Sequence, residues 1–385
     1  MIRVSKIISL FLVLALLCLS SPPPVHADGG APNLAYVAGA GHGISIIDIG
    51  QQKVTGTLSV AGDPHSILLS LDGRFLYVTQ PMLGRVAILS AKTGQTVCTA
   101  SLPGQPSLLA IDTDTNVLFA AGNGATTVSA LDPNNCAVKH TFETGSPVYG
   151  LAVALIGTGP AGGTDNQIWA AGTTAVTILD DFTGKQLASV PIPGGPQYVS
   201  IPTGIMAYVT TRSGVVDAIA LDTRQVIPSL LTGGKFGPMD YDATTDEVYV
   251  PDQQHNQLDV LAPIISTSAK PPHEPERVFH LGVQPESIAI TSDGQLGFIA
   301  LAGGNVAMLD VPGHQIFNTV YVGGNPRFII TGLYPPALGT TPQQASTLNI
   351  IINIIAYALV IELILVPILL WRRYSRKQKT EQEKE

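Results

Sequence analysis

The chain has 385 residues, enough for one large or two ordinary domains. Charged residues are 12% of it and hydrophobic ones 45%, with 39 Gly and 29 Pro, a balance that excludes disorder and disfavours a helical bundle. The formal net charge of −8 argues against a nucleic-acid partner, which calls for a basic face.

The first 27 residues read as a secretory signal. Arg3 and Lys6 precede the apolar run Ile7–Leu19, Pro22, Pro23 and Pro24 end it, and Val25-His26-Ala27 offers a cleavage site. An uncleaved anchor is the alternative. From 28 to 347 the chain carries 24 Asp plus Glu against 12 Lys plus Arg. This acidic stretch is expected outside the cell.

A short Gly…Pro motif then recurs, with its prolines at Pro64, Pro106, Pro147, Pro196, Pro238, Pro285 and Pro326. Five of the six spacings fall between 41 and 47 residues, and two Gly- or Pro-rich inserts, Gly157–Asp165 and Ala269–Arg277, lengthen the longer ones. A period near 42 with strand content is a propeller signature. Each unit reads as four short strands. In one of them these are Ser66–Ser70, Phe75–Thr79, Arg85–Leu89 and Thr96–Leu102, with Asp72-Gly73 and Lys92-Thr93-Gly94 as turns. An Asp follows the third strand at Asp48, Asp132, Asp180, Asp222 and Asp310, where its carboxylate is expected to bond its own turn.

The first unit starts at Leu34 with its second strand. The last Gly…Pro is followed by one lone strand, Arg327–Thr331. One strand from the end plus three from the start complete a seventh blade and leave no free inner edge. The expected fold is therefore all-β, a seven-bladed propeller over 28–332 with one-plus-three closure.

These repeats carry a resemblance. The strands AYVAG, FLYVT, AYVTT and VYVPD, the Leu-Asp turns and the GNPR connector resemble the YVTN family of β-propeller repeats, found in surface-layer and lactonase-like propellers. The Asn that ends the family's strand is replaced here by Gly39, Gln80, Gly122 or Thr211. The resemblance implies the fold. It leaves adhesin, binding module and enzyme open.

Residues 333–347 form a Pro/Gln/Thr-rich stalk. Leu348–Trp371 is apolar over 24 residues, enough to cross a bilayer as a single helix. The tail 372–385 begins with Arg372 and Arg373, so that end is expected in the cytoplasm. Glu362 inside the span reads as a protonated acid at a helix–helix contact.

The residue after each Pro is expected at the channel mouth. In ring order these are His65, Ser107, Val148, Gln197, Met239, Glu286 and Arg327. Glu286, Arg327 and His65 fall on three adjacent blades, with Gln197 and Tyr198 across the ring. Arg327 suits a carboxylate or phosphate, and Glu286 or His65 suits a general base. The bland alternative is that Glu286 and Arg327 simply pair. No nucleophile elbow, zinc or phosphate-loop motif is present, and no cofactor is called for. His140, His255, His273, His280 and His314 lack metal-ligand spacing, so no metal is expected. Asp180-Asp181 and Asp240/Asp242 read as solvated turns. Cys98 and Cys136 are read in or just before the outer strands of adjacent blades. Those strands diverge, which argues against a disulfide.

The leading expectation is a single-pass, membrane-anchored extracellular module for recognition or adhesion, with an unidentified cell-surface polymer, protein or small molecule as ligand. A lactonase-like hydrolase in the funnel is the alternative, and an accessory subunit of a membrane complex the second.

Overall fold

The computed structural model describes residues 34–156, 165–266 and 271–332. The expected signal 1–27, stalk 333–347, span 348–371 and tail 372–385 lie outside them. The chain divides into units 1–335 and 336–385, and every described residue belongs to the first. No helix among the described residues is long and apolar enough to cross a membrane. Their one helical element is the 3-10 turn Pro81–Leu83.

The described strands form seven four-stranded antiparallel sheets. We number the blades from the chain start. Blade 1 holds Leu34–Ala40, Gly43–Asp48 and Lys53–Ser59, and takes its inner strand from Phe328–Gly332 at the far end. That closure is antiparallel and in register from Leu34↔Gly332 to Ala38↔Phe328. In blade 2 the four strands are Ile67–Leu69, Phe75–Gln80, Arg85–Ser90 and Thr96–Ser101, within a residue or two of the positions the sequence indicates. The inner strands of blades 3 to 7 are Gln105–Asp112, Gly150–Ala154, Pro196–Ser200, Asp240–Tyr241 and Pro285–Ile290.

The second and third strands are apolar on both faces. The strand Phe75–Gln80 is buried from its second residue onward. Both faces are covered because each sheet packs between two others. The core is accordingly seven apolar clusters, one at each seam between neighbouring blades. Outer strands alternate, as Lys53–Ser59 does, with only Leu58 fully buried. In five blades a register shift sits at the same place between third and outer strands. Such bulges add local twist and fan the outer edge away from the ring.

The turn aspartates behave as scaffold. Asp48, Asp132, Asp180, Asp222 and Asp310 each accept a backbone N–H from their own turn at 2.6–3.0 Å.

Two expectations need correction. Cys98 and Cys136 form a disulfide, with Cα atoms 5.8 Å apart. Cys136 belongs to the turn before blade 3's outer strand, Val138–Glu143, at φ +60°, and not to that strand. This turn leans over blade 2, where Cys136 packs in one cluster with Ile88, Ala100 and Cys98. The divergence of outer strands therefore never has to be bridged. In addition, Asp181 and Asp242 are buried, not solvated. Asp242 is satisfied by Thr244 and Thr245 of its own turn.

Asp181 is bonded across the seam between blades 3 and 4. It hydrogen-bonds the buried Asp112, whose carboxylate also accepts the side-chain amide of buried Asn166 at 3.1 Å. The same amide reaches Asp114 at 3.1 Å, and Asn166 Oδ1 accepts Ile156 N–H at 3.0 Å. Burial, then the bond to Asp112 and its charge, then Asp180, push the Asp181 carboxyl up from 3.8 to about 7. Burial disfavours the charge on Asp112 as well. Its bonds from Asp181, Thr115, Asn166 and the Asp114 backbone outweigh that and hold its pKa low. Asp181 is thus the proton carrier of the pair.

Two outcomes follow for stability. The disulfide closes a loop of 38 residues. The double variant Cys98→Ser/Cys136→Ser should lose roughly 4 kcal/mol by chain entropy, read from denaturant unfolding. Between pH ~4 and ~7 the folded state holds an Asp181 proton that the unfolded chain releases. The stability this proton supplies is complete at low pH and is lost as pH rises through 7. Asp181→Asn, which keeps a donor toward Asp112, should flatten the fall in Tm from pH 5 to 8. Parallel wild-type and variant curves would refute the shared proton.

Candidate functional site

The Gly…Pro connectors deliver the inner strands at one end of the channel. Glycine is required where blades approach most closely. At Gly39, φ is +79° and a Cβ would lie 2.4 Å from Asn325 O and 3.2 Å from Arg327 Cγ. A side chain at this position, where the resembled repeat carries Asn, would displace Arg327. Gly150 likewise faces Gln197 O, 2.2 Å from its would-be Cβ.

His65, Ser107, Tyr198, Met239 and Phe328 line a channel cavity of about 100 Å³, whose remaining wall is largely Leu and Val. That is well below the ~300–1,000 Å³ of ordinary ligand pockets. A ligand larger than a few waters has to sit in the mouth above it. Val148 departs from the other post-Pro residues, being buried in the seam between blades 3 and 4.

His65 Nδ1 lies 3.2 Å from Ser107 O. A carbonyl only accepts, so Nδ1 carries the proton and Nε2 keeps its lone pair in the neutral ring. Burial and then the Arg327 charge hold the His65 pKa below its usual value, against the opposing pull of Ser107 and Asp63. Arg327 is fixed through its backbone N–H to Ala38 O at 3.0 Å, and its Nη2 lies 3.2 Å from Asp63 Oδ2. Its Nε is buried without a hydrogen-bond partner among the described residues.

Glu286 does not pair with Arg327. Its Oε1 accepts Gln284 Nε2 at 3.1 Å and its Oε2 accepts Gln253 Nε2 at 3.2 Å. Burial raises its pKa, and the charges of Lys235 and Arg327 pull less strongly the other way. Across the channel, Tyr198 is hydrogen-bonded by Gln197. Burial, and to a smaller extent the Glu286 carboxylate, raise the phenol's pKa. Arg327 is thus within electrostatic reach of both His65 and Glu286, and Glu286 of Tyr198.

Sequence reasoning missed the partners Asp63, Lys235, Gln253 and Gln284. Asp63 and Gln284 are the residues just before Pro64 and Pro285, inside the Gly…Pro connectors, so the connectors carried a signal. Gln253 sits in the turn after Val248–Asp252 of blade 6, and nothing local marks it. Among the described residues, no three His, Cys, Asp or Glu side chains are grouped to hold a metal ion.

No family model and no curated protein matches this chain. Solved structures match its fold. A periplasmic gluconolactonase of Pseudomonas aeruginosa aligns at TM-score 0.63 and 18% identity, over 80% of this chain and 100% of that one. A functionally unknown protein from Desulfotomaculum acetoxidans aligns at 0.64 and 13%, over 78% and 99%. The β-propeller domain of Cps50 from Myceliophteria thermophila aligns at 0.60 and 14%, over 73% and 92%. At these identities the likeness shows a fold shared by proteins of different activity. The chain is a seven-bladed β-propeller whose structural neighbours include a lactonase.

The electrostatic coupling at the mouth is directly measurable. Arg327→Gln removes a cation that lowers the pKa of both His65 and Glu286. Both values should rise in an NMR pH titration. An unchanged His65 value would mean the two side chains do not face one another.

Proposed function

We propose that this protein is a membrane-anchored extracellular recognition module that binds a small polar ligand at the channel mouth. What supports the reading is the set of unlike residues at the starts of the inner strands, Glu286, Arg327, His65, Gln197 and Tyr198, where a repeat would be uniform. Arg327 is the anchor for a carboxylate or phosphate, and Glu286 and Gln197 take hydroxyls. The described chain starts and ends at paired residues, Leu34 and Gly332, at the opposite end of the inner strands from the connectors.

A second reading is a lactonase-like hydrolase. It is favoured by a gluconolactonase among the structural neighbours and by a Glu286 carboxyl raised toward general-base use. In it, neutral His65 or Glu286 activates water while Arg327 steadies the oxyanion.

One experiment separates the two. Full-length protein in nanodiscs is titrated with aldonic acids, aldonolactones and homoserine lactones, with binding and ring opening followed together. The recognition reading expects saturable binding of the acids without turnover, weakened about tenfold or more in Arg327→Gln, the scale of a lost charged hydrogen bond. Turnover that Glu286→Gln abolishes would make the protein a hydrolase. Neither binding nor turnover would remove small acids and lactones as ligands.

A further inference from the structure

A second cavity lies between blades 5 and 6, at the end of the ring away from the mouth. Its volume is about 200 Å³, twice that of the channel cavity. The connector between Pro196–Ser200 and Met206–Thr211 forms one wall, and Pro263–Ile265 of blade 6 forms another. Its floor is core: Met206, Tyr208 and Ile264 are buried and belong to the cluster of this seam. Tyr208 Oη accepts the Ile264 N–H at 3.4 Å and ties the two walls together. Its rim is open, since Ile265 is 83% and Ile205 44% exposed.

Asp246 is the one charged residue that lines this cavity. Its Oδ1 accepts the Thr203 hydroxyl at 2.5 Å. Its Oδ2 has neither a hydrogen bond nor an ion pair among the described residues. Gly204, which also lines the cavity, lies beside that oxygen, a Cβ there standing 3.5 Å from it. Asp246 itself sits in a tight turn at φ +59°, held by its N–H to Asp242 O at 2.7 Å, so its carboxylate is presented by fixed backbone.

We propose that this cavity is a binding site for a small organic cation, an ammonium or amidinium group on an aliphatic or aromatic stem. Each part of that class answers a feature of the site. Apolar walls take the stem, and an apolar cavity of ~150 Å³ is enough for benzene. The unengaged oxygen of Asp246 takes the head by a charge-assisted hydrogen bond. An anion is excluded by the same carboxylate and by the acidic surroundings of the ring. The site is separate from the channel mouth and does not depend on what binds there.

The chemistry has two sources, a free amine or the basic side chain of a polypeptide. Full-length protein in zwitterionic nanodiscs is titrated by ligand-observed NMR, with empty nanodiscs as blank. The probes are benzylamine, benzyl alcohol, benzoate and N-acetyl-lysine methylamide. Benzylamine should bind at least about tenfold more tightly than benzyl alcohol or benzoate. Asp246→Asn should erase that preference. Asparagine adopts the left-handed turn and still accepts from Thr203, so the variant keeps the fold. Ile264→Trp fills the cavity and should abolish binding of every probe. Binding of benzylamine without the lysine amide assigns the site to free amines, and the reverse assigns it to a side chain. Equal affinity for amine and alcohol, a preference that survives Asp246→Asn, or no binding of either cation would overturn the proposal.

Discussion

The structure depends on burying both faces of every sheet. A lone four-stranded antiparallel sheet with apolar second and third strands has two faces to hide. A ring solves this because each blade is covered on either side by a neighbour. The core is distributed over seven seams, each supplied by two blades. Such a ring tolerates no gap, since one open seam would expose two apolar faces at once. The strand Phe328–Gly332 therefore does more than complete a sheet. It contributes Ile329 to the seam with blade 7, and Phe328 and Ile330 pack on the seam with blade 2. A chain that meets its own beginning in this way joins its ends by long-range contacts alone, so closure is expected among the last events of folding.

With the seams carrying stability, the two ends of the ring are free to differ. One end holds the connectors and the mouth. The other holds both described chain ends, the buried Asp112–Asp181 pair and the cavity at Asp246. The same Gly…Pro connector that repeats for packing reasons also varies for local ones. Its interior residue is Asp63 beside Arg327 and Gln284 beside Glu286.

Much of this was legible in the sequence because local rules generate it. The 42-residue period, the turn aspartates and the one-plus-three closure are consequences of strand length, turn chemistry and edge avoidance, each written within a few residues. Glu286, Arg327 and His65 could be placed on adjacent blades because repeat register converts sequence position into position on the ring. Register locates a residue and says nothing of its partner. That Arg327 turns to Asp63 and Glu286 to two glutamines depends on side-chain reach across connectors, which no periodicity encodes. The cysteines were misread for a related reason. The repeat places Cys136 next to an outer strand, but it belongs to a turn that packs on the preceding blade, as Gly94 and Gly184 of the equivalent turns approach Leu58 and Phe142 of theirs.

The state of Glu286 follows from the same geometry. Burial opposes its charge, and a direct ion pair would relieve that cost. The structure supplies neutral donors instead, one glutamine amide to each oxygen, and leaves Arg327 and Lys235 to act through space. A carboxylate locked to a guanidinium is a poor partner for anything else, because a ligand must first break a charge-assisted bond. One held by amides keeps lone pairs free and has no opposite charge that a ligand must displace. Arg327 is in a comparable position: Asp63 engages one terminal nitrogen, and its Nε has no acceptor among the described residues. The two strongest polar groups of the mouth are thus positioned but not spent on each other, which is the arrangement a ring built for packing alone has no reason to keep.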